Sequence, residues 1–123
     1  MFWADQIIAD IEKAFPNKKK FIVRDEKTPS GRVHIGSLRG LVIHAIIAQA
    51  LQEKGYPTEF KFEINDADPM DGLPGNVSKE FAKYMGLPLK NVPPPDANGE
   101  PDEAAFKKNP EHNFGNYWGD EFI

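Results

Sequence analysis

From Leu41 to Ala48 the chain reads Leu-Val-Ile-His-Ala-Ile-Ile-Ala, so the helix that residues 38–54 form is apolar on nearly every side. Such a helix has to be covered on most of its surface. The segments on either side suggest by what. Phe21-Ile22-Val23 is a short apolar run and reads as a buried strand. Thr58 to Ile64 alternates, with Phe60, Phe62 and Ile64 on one face and Glu59, Lys61 and Glu63 on the other, which is a half-buried strand. Strand, loop, buried helix, strand is a βαβ unit with parallel strands and a right-handed crossover. The fold class is therefore α/β. Ligands of open α/β sheets bind at the C-terminal ends of the strands, so the loop spanning residues 25–37 stands where a ligand would.

Trp3, Ile7, Ile8, Ile11 and Phe15 recur at helical spacing and predict a helix over residues 3–15, ended by Pro16-Asn17. Lys18-Lys19-Lys20 reads as a solvated turn. Gly55 caps the apolar helix. Asn65 to Gly72 is an acidic loop, and Ser78 to Met85 a short helix with Phe81, Tyr84 and Met85 inward. Residues 88–110 hold six of the eleven prolines and show no core-forming period, as an irregular connection would. Phe114, Tyr117, Trp118 and Phe122 resume helical spacing, and the sequence stops within that pattern. Trp3, Phe114, Tyr117 and Trp118 read as core aromatics, His44 and His112 as structural. The length of 123 residues allows one domain. Residues 1–87 are its βαβ core, and residues 88–123 a Pro-rich connection with the start of a truncated helix.

The charge is unevenly placed. Residues 1–40 carry eight Lys/Arg and five Asp/Glu, while residues 41–123 carry seven and fourteen. The first third suits a phosphate ligand. The overall charge of −4 argues against a general nucleic-acid coat. There is no cysteine, which excludes disulfides and thiolate zinc sites and fits a reducing compartment. Met1 to Asp10 lacks the pattern of a signal peptide, and the apolar run Leu41 to Leu51 is too short to span a bilayer. The expectation is a cytoplasmic chain with no membrane partner.

The informative segment is Thr28-Pro-Ser-Gly-Arg-Val-His34-Ile-Gly-Ser37. It places the helix N-terminus at Ser37 or close by, where amide groups and the positive dipole end suit a phosphate. Gly36 permits close approach to the backbone. His34 and Ser37 offer side-chain donors, and Arg32 and Arg39 add positive charge. Neither GxxxxGK[ST] nor GxGxxG is present. The spacing alone suits equally a structural loop histidine at position 34 and a plain N-cap serine at 37.

The run Thr28 to Ser37, continuing Leu-Arg-Gly40, resembles the HIGH signature of class I aminoacyl-tRNA synthetases in its HIGS form. Phe2-Trp-Ala-Asp5, Phe21 to Thr28, Asn65-Asp-Ala-Asp-Pro-Met-Asp-Gly-Leu-Pro74, Tyr84-Met-Gly-Leu-Pro88 and Tyr117 to Ile123 narrow the resemblance to the class I type of lysyl-tRNA synthetase. The resemblance implies a Rossmann-like nucleotide-binding fold, present here in part as its first βαβ half. It implies an enzyme, a lysine–tRNA ligase that makes lysyl-adenylate from lysine and ATP and then charges tRNA(Lys). ATP is a substrate, with Mg2+ accompanying it. By match to the motif, His34 and Ser37 are the catalytic residues. Pro29, Ser30, Gly31, His34, Gly36 and Ser37 bind ATP, and Thr28 lies where lysine and the α-phosphate meet. Asp66 and Asp68 are placed to pair with a cationic group of lysine, a solvated acidic loop or a magnesium pair being the alternatives. No protein metal site is expected.

Two family features are missing. Nothing resembles the KMSKS signature, Lys107-Lys108-Asn109-Pro110 included, and no residues remain for an anticodon-recognising region. Some relatives carry Cys and His where this sequence has Ala97-Asn98-Gly99-Glu100-Pro101, so no zinc site carries over. The chain is therefore expected to be the N-terminal part of a longer enzyme with partial or no full activity. A non-catalytic nucleotide-binding remnant is the alternative. So is a small HxGH nucleotidyltransferase, although Thr28 to Val33 lacks the G-x-F-D stretch such enzymes carry before the His.

Overall fold

The computed structural model describes residues 2–123. In order they form helix α1 (Trp3–Ala14), strand β1 (Phe21–Lys27), helix α2 (Ile35–Glu53), strand β2 (Thr58–Ile64), and two short helices, α3 (Glu103–Lys108) and α4 (Phe114–Gly119). Three 3₁₀ turns lie at Lys79–Tyr84, Leu89–Asn91 and Asp120–Phe122. The two strands are hydrogen-bonded neighbours. At one end Phe21 N–H donates to Pro57 O (3.0 Å), and at the other Asn65 N–H donates to Lys27 O (3.0 Å). The pairing advances in the same direction along both strands, so they are parallel, as the βαβ reading requires.

The chain divides into two compact units. The first contains residues up to Glu26 together with Ile35–Glu63. Here α1 packs on α2, and Ile8, Phe21 and Leu51 form a buried core with Ile11, Val23, Ile47 and Tyr56 against it. The Phe21 and Tyr56 rings meet edge to face at 5.2 Å. α2 ends as expected at Gly55, whose φ of 91° belongs to the left-handed region. Gly55 N–H donates to Gln52 O and Tyr56 N–H to Leu51 O, the paired bonds of a Schellman ending.

Several expectations for this unit need correction. β1 continues to Lys27, so the loop begins at Thr28 rather than at residue 25. Arg24 and Glu26 on its exposed face extend the strand without apolar content, because alternation suits a strand open to water on one side. β1 is not buried along its length either, since Ile22 is 51% exposed. α2 starts at Ile35, two residues before the anticipated Ser37. It is not largely buried, because one two-stranded sheet and one helix cover only part of its surface. Ala48 and Leu51 are its buried residues, while Ile35 and Val42 face outward. At 19 residues it is also long and apolar enough, by length and composition alone, to cross a membrane, a test that helices packed on a sheet pass as well. The apolar stretch thus extends beyond Leu41–Leu51. Trp3, placed among the core aromatics, is instead 41% exposed.

The second unit contains Lys27–His34 and Ile64–Ile123. Its core is Met70, Phe81, Leu89, Val92, Phe114 and Trp118, with Val77 and Tyr84 against it. Phe81 and Phe114 meet at 5.3 Å, and Phe114 and Trp118 at 6.1 Å, both edge to face. The Pro-rich stretch thus contributes core, contrary to the absence of any period in it. Its backbone is stitched to the acidic loop: Lys90 N–H donates to Asp66 O, Leu89 N–H to Asp68 O, and Met70 N–H to Leu87 O. This irregular pairing buries Leu89 and Val92 without helical or strand periodicity. Tyr117 and Met85 are exposed rather than inward, whereas Phe81 and Trp118 are buried as expected.

Candidate active site

The loop between β1 and α2 is held from three sides within the second unit. Thr28 Oγ1 donates to Asp68 Oδ2, joining the start of the loop to the acidic loop after β2. Pro29 is fully buried. Gly31 abuts Pro74 closely enough that a Cβ at 31 would stand 3.1 Å from the Pro74 Cβ. Val33 N–H donates to Glu121 Oε2 at 2.8 Å. Ser30 N–H turns back to Thr28 O at 2.9 Å. The loop is therefore a fixed structure, and its first half belongs to the unit built from residues after β2.

The structure brings Thr28 and Asp68 together through that hydrogen bond. The two aspartates are not equivalent. Asp68 uses both oxygens internally, accepting from Thr28 and, through Oδ1, from Asn65 Nδ2 at 3.0 Å. No hydrogen bond or ion pair engages the Asp66 carboxylate among the described residues. Asp66 lies against Gly115 of α4. Glu63 points elsewhere, forming an ion pair with Arg24 on the exposed face of the sheet.

His34 is the residue before α2 and is exposed; Ile35, Gly36 and Ser37 form the helix's first turn. Ser37 is thus inside the helix rather than at its cap. The amides of a helix's first turn have no intrahelical partner, and the dipole is positive there, so this end suits an anion. Among the described residues no group of three or more His, Asp or Glu side chains gathers to hold a metal ion.

Sequence reasoning missed three supports of the loop. Asn65 stood next to a residue already singled out, so its side-chain amide could have been found. Glu121 and Pro74 carry no local signal, because they meet the loop only through the fold.

A parallel βαβ unit with His34-Ile-Gly-Ser37 where the loop passes into α2 is part of a Rossmann-like fold of the class I aminoacyl-tRNA synthetase type. The family described as tRNA synthetases class I (K) matches residues 1–116. A lysine–tRNA ligase of Pyrococcus horikoshii is 38% identical over 93 residues, covering 76% of this chain and 18% of that protein. One from Thermoplasma acidophilum is 31% identical over 100 residues, 81% of this chain and 18% of its own length. One from Streptomyces coelicolor is 30% identical over 110 residues, 86% of this chain and 19% of its own. The chain belongs to the class I lysine tRNA synthetase family, and it spans less than a fifth of the length of these relatives.

Proposed function

We propose that this chain forms part of the lysine- and ATP-binding site of a cytoplasmic class I lysine–tRNA ligase. The observation that carries the reading is the Thr28–Asp68 hydrogen bond, which joins the motif loop to the acidic loop. The reaction is in-line attack of the lysine carboxylate on the α-phosphorus of ATP. A phosphorus–oxygen bond forms, pyrophosphate leaves, and lysyl-adenylate results; the lysyl group then passes to the 3′ end of tRNA(Lys). Such chemistry rests on positioning and charge stabilisation. Mg2+ carried in by ATP, with no protein ligand group of its own among the described residues, would screen the phosphates.

His34 and Ser37 stabilise the charge developing on the phosphates. Pro29, Ser30, Gly31 and Gly36 shape the ATP side of the site, and Thr28 the place where lysine meets the α-phosphate. Asp66 pairs with an ammonium group of lysine, since its carboxylate has no other partner among the described residues. Asp68 has the supporting role of holding Thr28. The 123 residues contain no KMSKS-like stretch to neutralise the ATP phosphates. The chain by itself is therefore expected to bind ATP and lysine but to charge tRNA(Lys) little or not at all.

Lysine-dependent ATP–pyrophosphate exchange and ATP affinity, each with His34→Ala as control, test the assignment. ATP binding that weakens in His34→Ala supports it. Asp66→Asn should weaken lysine binding and spare ATP, whereas Asp68→Asn should weaken both. ATP binding unaffected by His34→Ala would overturn the site assignment, and robust lysylation of tRNA by the chain alone would overturn the expectation of little or no charging. ATP binding without any response to lysine would favour a non-catalytic nucleotide-binding remnant.

A further inference from the structure

Arg32, Val33 and His34 close the motif loop, and one carboxylate from the far end of the sequence meets the first two. Glu121 Oε2 accepts the Val33 N–H at 2.8 Å, across a separation of 88 residues. Its other oxygen, Oε1, stands 3.5 Å from Arg32 Nε. The two contacts differ in worth. The Arg32 side chain is 77% exposed, so water and salt screen its pairing with Glu121. The bond to Val33 joins a carboxylate to a backbone amide with no strand or helix partner, and bonds of this charged kind are the stronger ones.

The placement of Glu121 adds to this. It lies on the 3₁₀ turn Asp120–Phe122, which continues directly from α4. α4 is anchored in the core of the same unit by Phe114 and Trp118. A side chain on a fixed element thus grips the peptide immediately before His34. Holding the Val33 amide limits the backbone rotations that would swing the next residue.

We infer that Glu121 is a positioning residue for His34. It fixes the Arg32–Val33 backbone and thereby presents the His34 ring in one orientation. Its consequence for ATP rests on the assignment of His34 to the nucleotide site above. Its grip on the loop does not.

The test uses the full chain, with backbone amide exchange followed by nuclear magnetic resonance and ATP affinity measured by calorimetry. Glu121→Ala removes both contacts. Glu121→Gln keeps an oxygen for the Val33 N–H and drops the charge facing Arg32. Glu121→Ala should speed exchange at Val33 about tenfold or more, the scale of one charge-assisted hydrogen bond. Exchange at Phe81 and Leu89, whose amides donate to Ser78 O and Asp68 O, should not change. ATP affinity should fall about three- to tenfold, as loss of preorganisation does. Glu121→Gln, whose neutral amide oxygen makes a weaker bond than the carboxylate, should recover part of both losses. Unchanged exchange at Val33 in Glu121→Ala would overturn the inference. So would faster exchange with unchanged ATP affinity, or Glu121→Gln as impaired as Glu121→Ala. If the parent chain binds no ATP, the functional assignment falls instead, and exchange at Val33 in the two variants decides the role of Glu121.

Discussion

Gly115 of α4 lies directly against Asp66: a Cβ at position 115 would stand 2.9 Å from the Asp66 Cβ. The same atom would meet Asn113 Oδ1 at 3.3 Å and Leu89 Cβ at 3.4 Å. The absence of a side chain on α4 is therefore what lets the acidic loop close down on the second core.

Gly115→Ala should consequently destabilise the chain by about 1–3 kcal/mol, the usual cost of forcing a methyl group into a filled space. Denaturant unfolding followed by tryptophan fluorescence measures it, since Trp118 sits in that core. Gly72→Ala is the control. Nothing lies within 4 Å of a Cβ at position 72, so its cost should be within about 0.5 kcal/mol. Equal effects from the two substitutions would refute the close contact.

Asn113 is buried, 3% exposed, and fully used. Its Oδ1 accepts from Asn116 N–H at 2.9 Å, capping α4, and its Nδ2 donates to Pro110 O at 3.1 Å. A six-residue helix has few internal bonds of its own, so its cap carries much of its stability. Asn113→Ala should cost about 1–2 kcal/mol, with Asn113→Asp recovering part of it because the carboxylate also caps. Thermal unfolding by circular dichroism measures the three proteins, and no loss in Asn113→Ala would rule out the capping role.

The elements with a clear period were legible in the sequence. Ile7, Ile8 and Ile11 announced α1, and the alternation from Thr58 to Ile64 announced β2, because one-sided burial leaves a pattern. The motif segment was legible for a different reason, since the residue types from Thr28 to Ser37 carry the family resemblance whatever surrounds them. Leu89 and Val92 were not legible as core. They are buried by backbone pairing between segments around residues 66–70 and 86–90, which asks for no repeat in side-chain type. The outward face of α2 was hidden too, since composition says how apolar a helix is and not how much lies against it. The same limit applied at the site. Asp66 and Asp68 look alike in sequence, and only the hydrogen bonds of Thr28 and Asn65 distinguish them.

The link between α1 and the end of α2 makes a prediction in pH. Glu12 accepts from Lys54 Nζ at 2.9 Å and from Tyr56 Oη at 3.0 Å. The hydrogen bond from Lys54, followed by that from Tyr56, holds the Glu12 carboxyl below its ordinary pKa. The bond to Glu12 raises Lys54 above the usual lysine value and Tyr56 above the usual phenol value. A lowered carboxylate contributes stability that is complete above its unfolded pKa and is lost as pH falls through the folded one. The raised Lys54 and Tyr56 contribute stability that is complete below their unfolded values and is lost as pH rises through the folded ones. Lys54 is exposed and Glu12 and Tyr56 are open to solvent in part, so each contribution is small and falls with added salt. Glu12→Gln should therefore lower Tm near neutral pH and flatten its decline both at acid pH and in the alkaline range. Lys54→Met should remove most of the alkaline decline due to Lys54 and keep part of the acid one, because Tyr56 still donates to Glu12. Thermal unfolding of the three proteins from acid to alkaline pH, at low and at high salt, measures these slopes. Parallel curves for the parent and Glu12→Gln would show that this cluster does not couple the helices to pH.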